Sequence, residues 1–236
     1  MTCFALIPAA GSGSRLAGAQ PKQYLDLNGK PMLWHAVAAV CRPPVETVFV
    51  VLAPGDAHFP RHDWGAFAGK LEPLYCGGES RRDSVCNGLV ASMAAVDADD
   101  WVLVHDAARP CLPAADLERL FAECRGDEIG GLLALPAADT VKRAAKDESG
   151  AVRVAGTEDR ELLWLAQTPQ MFRAGLLAEA LRRARGTVTD EASAVEAMGL
   201  RPRLVPGSRE NLKVTYPEDV AIAAAILKAK ANQARR

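Results

Sequence analysis

Short apolar runs alternate with longer amphipathic stretches along most of the chain, and this alternation limits the fold more than any other feature. Runs of four to eight largely apolar residues are the length of buried strands, and ten-residue stretches with apolar positions three or four apart are helices. Candidate strands are Phe4 to Ile7, Thr47 to Leu52, Leu71 to Tyr75, Trp101 to His105, Leu132 to Leu135 and Arg203 to Val205. Between and after them, Met32 to Cys41, Ser84 to Val96, Ala114 to Cys124, Ala174 to Arg185, Glu191 to Met198 and Pro217 to Lys230 read as helices. Strand and helix in turn predict an α/β architecture, a Rossmann-like, mostly parallel sheet flanked by helices. With 236 residues, 49% of them hydrophobic, the chain suffices for one substantial core and is short for two, so a single domain spanning 1–236 is expected.

One section interrupts the alternation. From Pro136 to Leu163 only weak strand patterns occur, Thr140 to Arg143 and Val152 to Val154, around a turn-like Lys146-Asp147-Glu148-Ser149-Gly150. A β-hairpin arm over residues 137–163, projecting from the main sheet, accounts for this better than a second domain. A two-stranded arm has little core of its own and needs a surface to pack on, so a dimerisation role follows.

Charge and composition remove several function classes. The 28 Lys and Arg balance 29 Asp and Glu, a net charge of -1, which leaves no basic excess for a nucleic acid polymer. No apolar run approaches the ~20 residues of a membrane span, and the start lacks a secretion signal, so a cytoplasmic location is expected. The six cysteines form no CxxC pair and read as buried thiols. His58 and His62 have helical ligand spacing, but Pro60 between them and the absence of a nearby ligand cluster argue against zinc.

Chemistry concentrates where strands end. The first strand runs into Pro8-Ala9-Ala10-Gly11-Ser12-Gly13-Ser14-Arg15, a glycine-rich loop whose amides can approach an anion closely. Two familiar phosphate motifs fail: Leu16 replaces the third glycine of the dinucleotide fingerprint, and Ala19 the lysine of the P-loop. Arg15 and, seven residues on, Lys22 supply cations suited to charge that builds on phosphate oxygens during phosphoryl chemistry. Asp106 follows the apolar run Trp101 to Val104, at the strand end where open α/β sheets bind ligands, and a carboxylate there can hold Mg²⁺ or only cap the next turn.

Taken together and in order, Gly11-x-Gly13-x-Arg15, Pro21-Lys22-Gln23, Gly77-Gly78-x-x-Arg81-x-x-Ser84, His105-Asp106-Ala107-Ala108-Arg109-Pro110, Thr189-Asp190-Glu191-Ala192-Ser193 and Asn211-x-Lys213-Val214-Thr215 resemble the 2-C-methyl-D-erythritol 4-phosphate cytidylyltransferase family of non-mevalonate isoprenoid synthesis. The resemblance implies a nucleotide-diphospho-sugar transferase type of fold and transfer of CMP from CTP, with Mg²⁺ or another divalent cation, in a homodimer. It implies that Arg15 and Lys22 stabilise the transition state at the α-phosphorus. It places Ala9, Ala10, Gly11, Gly78, Glu79 and Ser84 around cytidine, with Asp106 near the metal. Ala107, Arg109, Thr189 and Lys213 would hold the second substrate, with Thr140 and Arg160 reaching over from the neighbouring subunit; Arg160 and Lys213 would also count among the catalytic residues. Simpler roles remain for several of these: Thr189, Asp190 and Ser84 can be helix-start residues, and Lys213 and Arg160 surface charges. A ribitol 5-phosphate cytidylyltransferase would share most of this pattern, although the Ala107-Ala108 pair favours the methylerythritol substrate. A non-catalytic nucleotide-binding subunit would have no reason to carry Arg15, Lys22, Asp106, Arg160 and Lys213 together. Tyr216 is bulkier than the resemblance leads one to expect and bears on local packing only.

Overall fold

The computed structural model describes residues 2–11, 20–186 and 188–233. Among these residues seven strands form the main sheet: β1 (Cys3–Pro8), β4 (Val45–Val51), β5 (Leu71–Leu74), β6 (Trp101–Val104), β7 (Gly130–Pro136), β10 (Trp164–Arg173) and β11 (Arg203–Pro206). Two short pairs lie outside it, β2 (Asp26–Leu27) with β3 (Lys30–Pro31) and β8 (Val141–Lys146) with β9 (Val152–Glu158). The α-helices of the described residues are α1 (Met32–Val40), α2 (Arg81–Ser92), α3 (Ala114–Cys124), α4 (Ala174–Arg183), α5 (Glu191–Glu196) and α6 (Pro217–Gln233).

The sheet order is β11-β7-β10-β6-β1-β4-β5. Pairings are parallel except along β10, which runs antiparallel between β6 and β7. This is the expected mostly parallel α/β sheet. Alternate side chains of its central strands feed two cores, because successive residues of a strand point to opposite faces. Ala5, Ile7, Val48, Val50 and Leu103 pack with Leu33 and Val37 of α1 and Leu117 and Leu120 of α3. Phe4, Leu6, Phe49, Val51 and Val104 face the other way, toward Val85 and Leu89 of α2, Leu177 of α4 and Val195 of α5. Each fully buried aliphatic side chain contributes roughly 1.5–3 kcal/mol, which is why β1 and β6, buried along both faces, anchor the molecule. A third, smaller cluster joins Leu27, Met32, Cys111 and Val214 to Ala223 of α6.

β10 is the element that sequence periodicity misses. Its middle, Gln167-Thr168-Pro169-Gln170, is polar and carries a proline, yet all four residues are buried. The register with β7 breaks between Ala166 and Gln170, so the proline sits where no ladder bond is required of it. The weak patterns at 140–143 and 152–154 lengthen into the exposed hairpin β8–β9, while the remaining helices and strands fall within a few residues of their expected bounds. All six cysteines are free, and burial raises Cys111 to about 11 and Cys124 to about 12, so these thiols stay protonated at neutral pH. His58 and His62 do not share a helix face; both rings stack on Tyr24, at 5.2 and 5.4 Å between centroids. No helix among the described residues is long and apolar enough to cross a membrane.

Candidate active site

At the carboxyl ends of β1 and β6 the sheet opens into a cleft of about 510 Å³. Its walls come from the end of β1 (Ala9, Ala10, Gly11), the Lys22 turn, the start of α2 (Gly78 to Ser84), the segment after β6 (Asp106, Ala107, Ala108) and Lys213.

Each wall is fixed by local bonds. The Ala9 amide donates to Val51 O at 2.8 Å, continuing the β1–β4 ladder one step past the strand. Lys22 begins a single 3-10 turn, and the next residue, buried Gln23, donates its side-chain amide to Ala9 O at 2.6 Å, which fastens that turn to the end of β1. Gly77 lies so close to the chain that an added Cβ would stand 2.8 Å from Leu52 O, and at Gly78 one would stand 2.4 Å from the Asp83 Cβ. Glycine alone lets this segment pass, and it leaves backbone rather than side chain facing the cleft. α2 then starts with a capping box between Ser80 and Asp83. Ser84 lies one turn in; its hydroxyl accepts from the Gly78 amide at 3.1 Å and donates to Ser80 O at 3.0 Å, so it shapes the glycine turn rather than starting the helix.

Asp106 is buried and held on all sides. Its amide donates to the Thr168 hydroxyl at 3.0 Å, and Thr168 in turn bonds His105 Nδ1 at 3.1 Å. His105 Nε2 lies 3.0 Å from Arg109 O, so the neutral ring donates from Nε2 and accepts the Thr168 proton at Nδ1. Burial holds the His105 pKa down at about 4, consistent with that neutral form. Asp106 Oδ1 meets Arg81 Nη2 at 3.0 Å, and Oδ2 meets Lys213 Nζ at 2.7 Å. Burial by itself would raise this carboxyl; the two cations outweigh it and keep the pKa well below the usual carboxylate range. Asp106 does not cap α3, whose N-cap is Pro113 without a side-chain bond. Behind Arg81 lies Glu191, 1% exposed, in two-point contact at 2.6 and 2.9 Å.

Lys213 reaches Asp106 because its loop is strapped on both sides. The Asn211 side chain, wholly buried, donates to Gln167 Oε1 and Thr168 O, and the Val214 amide donates to Ala108 O at 2.8 Å. Tyr216 is 55% exposed, so its extra bulk displaces nothing.

Of the residues singled out in the sequence, the cleft gathers Ala9, Ala10, Gly11, Lys22, Gly78, Glu79, Ser84, Asp106, Ala107 and Lys213. Arg15 lies outside the described residues. Arg109 is buried behind the cleft, donating Nη1 to Asn211 O at 2.6 Å and Nη2 to Ala166 O at 3.3 Å. Thr189 is exposed before α5, where Asp190 supplies the cap. Thr140 and Arg160 are exposed at the root of the β8–β9 arm, with Arg160 donating to Ala138 O, and neither lines the cleft of its own chain. Sequence reasoning leaves Arg81 and Glu191 without roles although both stand in its motifs. A charged residue at the first position of a helix gives no sign of what it meets across the fold. Nor does anything in the sequence mark Thr168, since the strand that carries it is hidden.

The sequence pattern described as IspD, 2-C-methyl-D-erythritol 4-phosphate cytidylyltransferase, matches residues 3–229. The chain belongs to this family. A 2-C-methyl-D-erythritol 4-phosphate cytidylyltransferase of Dechloromonas aromatica (strain RCB) is 58% identical over 229 residues, covering 96% of this chain and 98% of that protein. One of Nitrosospira multiformis is 56% identical over 229 residues, covering 95% and 97%. Among solved structures, a 4-diphosphocytidyl-2C-methyl-D-erythritol synthase superposes with a TM-score of 0.82 at 39% identity, covering 96% of this chain and 98% of that one. The 2-C-methyl-D-erythritol 4-phosphate cytidylyltransferase of Thermus thermophilus gives a TM-score of 0.76 at 30% identity, covering 97% and 100%. The fold of the family is thus the fold of this chain.

Proposed function

We propose that this chain transfers CMP from CTP to 2-C-methyl-D-erythritol 4-phosphate, giving 4-diphosphocytidyl-2-C-methyl-D-erythritol and pyrophosphate. The convergence of Lys22, Lys213 and Asp106 on one cleft, beside a stretch of backbone and small side chains from Ala9 to Gly11 and at Gly78 and Ser84, carries this reading. Ala9, Ala10, Gly11, Gly78 and Ser84 offer carbonyls, amides and one hydroxyl that can read a pyrimidine edge, and a purine would need more room. A phosphate oxygen of the second substrate bonds to the α-phosphorus of CTP as the bond to the bridging oxygen of the departing pyrophosphate breaks. Lys22, which lines the cleft, would absorb the charge that builds on the phosphates, a role that the family resemblance gives to Arg15 as well. The attacking phosphate is already anionic near neutral pH, so no general base is required, and His105, buried and neutral, is not one.

Asp106 brings one ionised carboxylate to the cleft, an oxygen donor of the kind a hard divalent cation takes, although Arg81 and Lys213 each pair with one of its oxygens. Among the described residues no group of three or more His, Cys, Asp or Glu side chains could enclose a metal. One or two carboxylates completed by phosphate oxygens is the usual arrangement for Mg²⁺, and Asp106 would be the ligand from this chain. When bound, the cation neutralises phosphate charge. Asp106 stays ionised whether or not it is there, because Arg81 and Lys213 flank it.

The family's dimer supplies what one chain lacks. Thr140 and Arg160 stand on an exposed arm, with Leu162 and Leu165 beside them 89% and 60% exposed. Apolar side chains so open are suited to burial against a second copy, over which Arg160 would reach the neighbour's cleft and, with Lys213, hold the second substrate's phosphate for attack. Residues 137–163 are then a dimerisation arm on a single domain that works in the cytoplasm. Pyrophosphate release, measured over CTP, ATP and GTP and over methylerythritol 4-phosphate and ribitol 5-phosphate, tests the assignment. CTP with the methylerythritol substrate should exceed every other pairing by at least about 10²-fold. Equal rates with ATP would remove the cytidine pocket, equal rates with ribitol 5-phosphate would favour the pentitol enzyme, and no release at all would leave a nucleotide-binding protein.

A further inference from the structure

Glu191 is wholly buried, does not line the cleft and cannot touch a nucleotide there. Its partner Arg81 does line the cleft, and a guanidinium in such a place is ordinarily read as a phosphate ligand. The geometry says otherwise. Arg81 Nη1 and Nη2 are spent on the two oxygens of Glu191 at 2.6 and 2.9 Å, and Nε and Nη2 on Asp106 Oδ1 at 3.1 and 3.0 Å. Three of its five N–H groups are in hydrogen bonds and a fourth N–H is on the nitrogen that meets Asp106 at ion-pair distance, so at most two remain for a ligand. A planar fork held at both ends acts as a strut, because its plane fixes where the second carboxylate must lie.

We propose that Glu191 is a positioning residue for nucleotidyl transfer: through Arg81 it sets the place of Asp106 between two cations. The chain Glu191–Arg81–Asp106–Lys213 ties the starts of α5 and α2 to the end of β6 and to the loop after β11, so one buried carboxylate registers both walls of the cleft. The four charges also cancel. Removing that of Glu191 loosens Asp106 and leaves an extra positive charge beside an anionic nucleotide. Binding of CTP is then preserved or strengthened while the chemical step slows. A residue that served packing alone would lower the amount of folded protein and leave each folded site as active as before.

The test, which rests on the cytidylyl-transfer reading, is the Glu191→Gln variant. Sites are counted by calorimetric titration with CTP, and turnover is read by pyrophosphate release with CTP, Mg²⁺ and methylerythritol 4-phosphate. The expected result is kcat per CTP-binding site lowered at least about tenfold, a cost typical of a displaced catalytic group, with KM for CTP unchanged or lower. Should Glu191→Gln fail to fold, Arg81→Gln with Glu191→Gln leaves neither charge unpaired and is read the same way. A folded variant of either kind with kcat per site within about twofold of wild type overturns the inference, as does a raised KM at unchanged kcat. A wild type that releases no pyrophosphate overturns the reaction assignment and this inference with it. An active wild type beside an unimpaired variant overturns the inference alone.

Discussion

At the residue scale, His105 makes stability depend on pH. In the folded chain burial lowers its pKa from 6.5 to about 4, whereas in the unfolded chain it takes up a proton near 6.5. A depressed folded value means the contribution is complete above pH 6.5 and is lost as pH falls toward 4, by about 3 kcal/mol in all. Burial lowers His35 as well, in the same sense, so the comparison must be with a variant. Urea unfolding of wild type and His105→Gln between pH 7.5 and 4.5 should show the variant, whatever its stability at pH 7.5, losing much less across the range. Parallel slopes would mean that the buried ring is already charged in the native state. Arg81 and Glu191 teach a related lesson about what a sequence carries. Lys22 and Asp106 declare themselves because the segment before each is legible, a glycine-rich loop in one case and an apolar strand in the other, although the partners that hold Asp106 are distant in the chain. A salt bridge spanning 110 positions declares itself only in three dimensions.

At the element scale, α5 is six residues long and has too few internal bonds to hold itself, so its start depends on its cap. The Asp190 side chain accepts from the Ser193 amide at 2.9 Å, and Ser193 Oγ accepts from the Asp190 amide at 3.2 Å. Asp190→Ala should cost about 0.5–2 kcal/mol in urea denaturation, the usual worth of an N-cap. Because Glu191 is the next residue, turnover should fall as well; a loss of activity with no loss of stability would separate the two effects. Elements that announce themselves in the sequence are those buried by apolar side chains, in an unbroken run as in β1 and β6 or at helical spacing as in α3. β10 does not, because Gln167, Thr168 and Gln170 are buried for their hydrogen bonds and not for apolar area. Polar residues buried in a network look, in one dimension, like a loop. The same strand supplies Thr168, so the stretch that periodicity cannot read also supports Asp106 from behind the cleft.

At the scale of the whole molecule, two damaged chains should repair one another. If Arg160 serves the neighbouring subunit, Lys22→Ala and Arg160→Ala proteins refolded together give dimers of which about half are mixed, each with one site bearing both lesions and one bearing neither. Roughly a quarter of wild-type activity should return in the pyrophosphate assay, once size-exclusion chromatography shows dimers. If dimers form and nothing returns, the arm clasps without contributing to catalysis. Such a division of labour would not be only additive, because of how β10 is placed. The strand leaves the arm at Trp164, pairs there with Pro136, and four residues later presents the hydroxyl on which the Asp106 amide rests. The interval is short, about 13 Å at most for four extended residues, and the register with β7 holds as far as Ala166 before it breaks. The root of the arm and the support of Asp106 are thus neighbours on one strand. A change in the grip between subunits would then have only a few residues to cross to reach the cleft, and could retune the reaction without touching a residue of it.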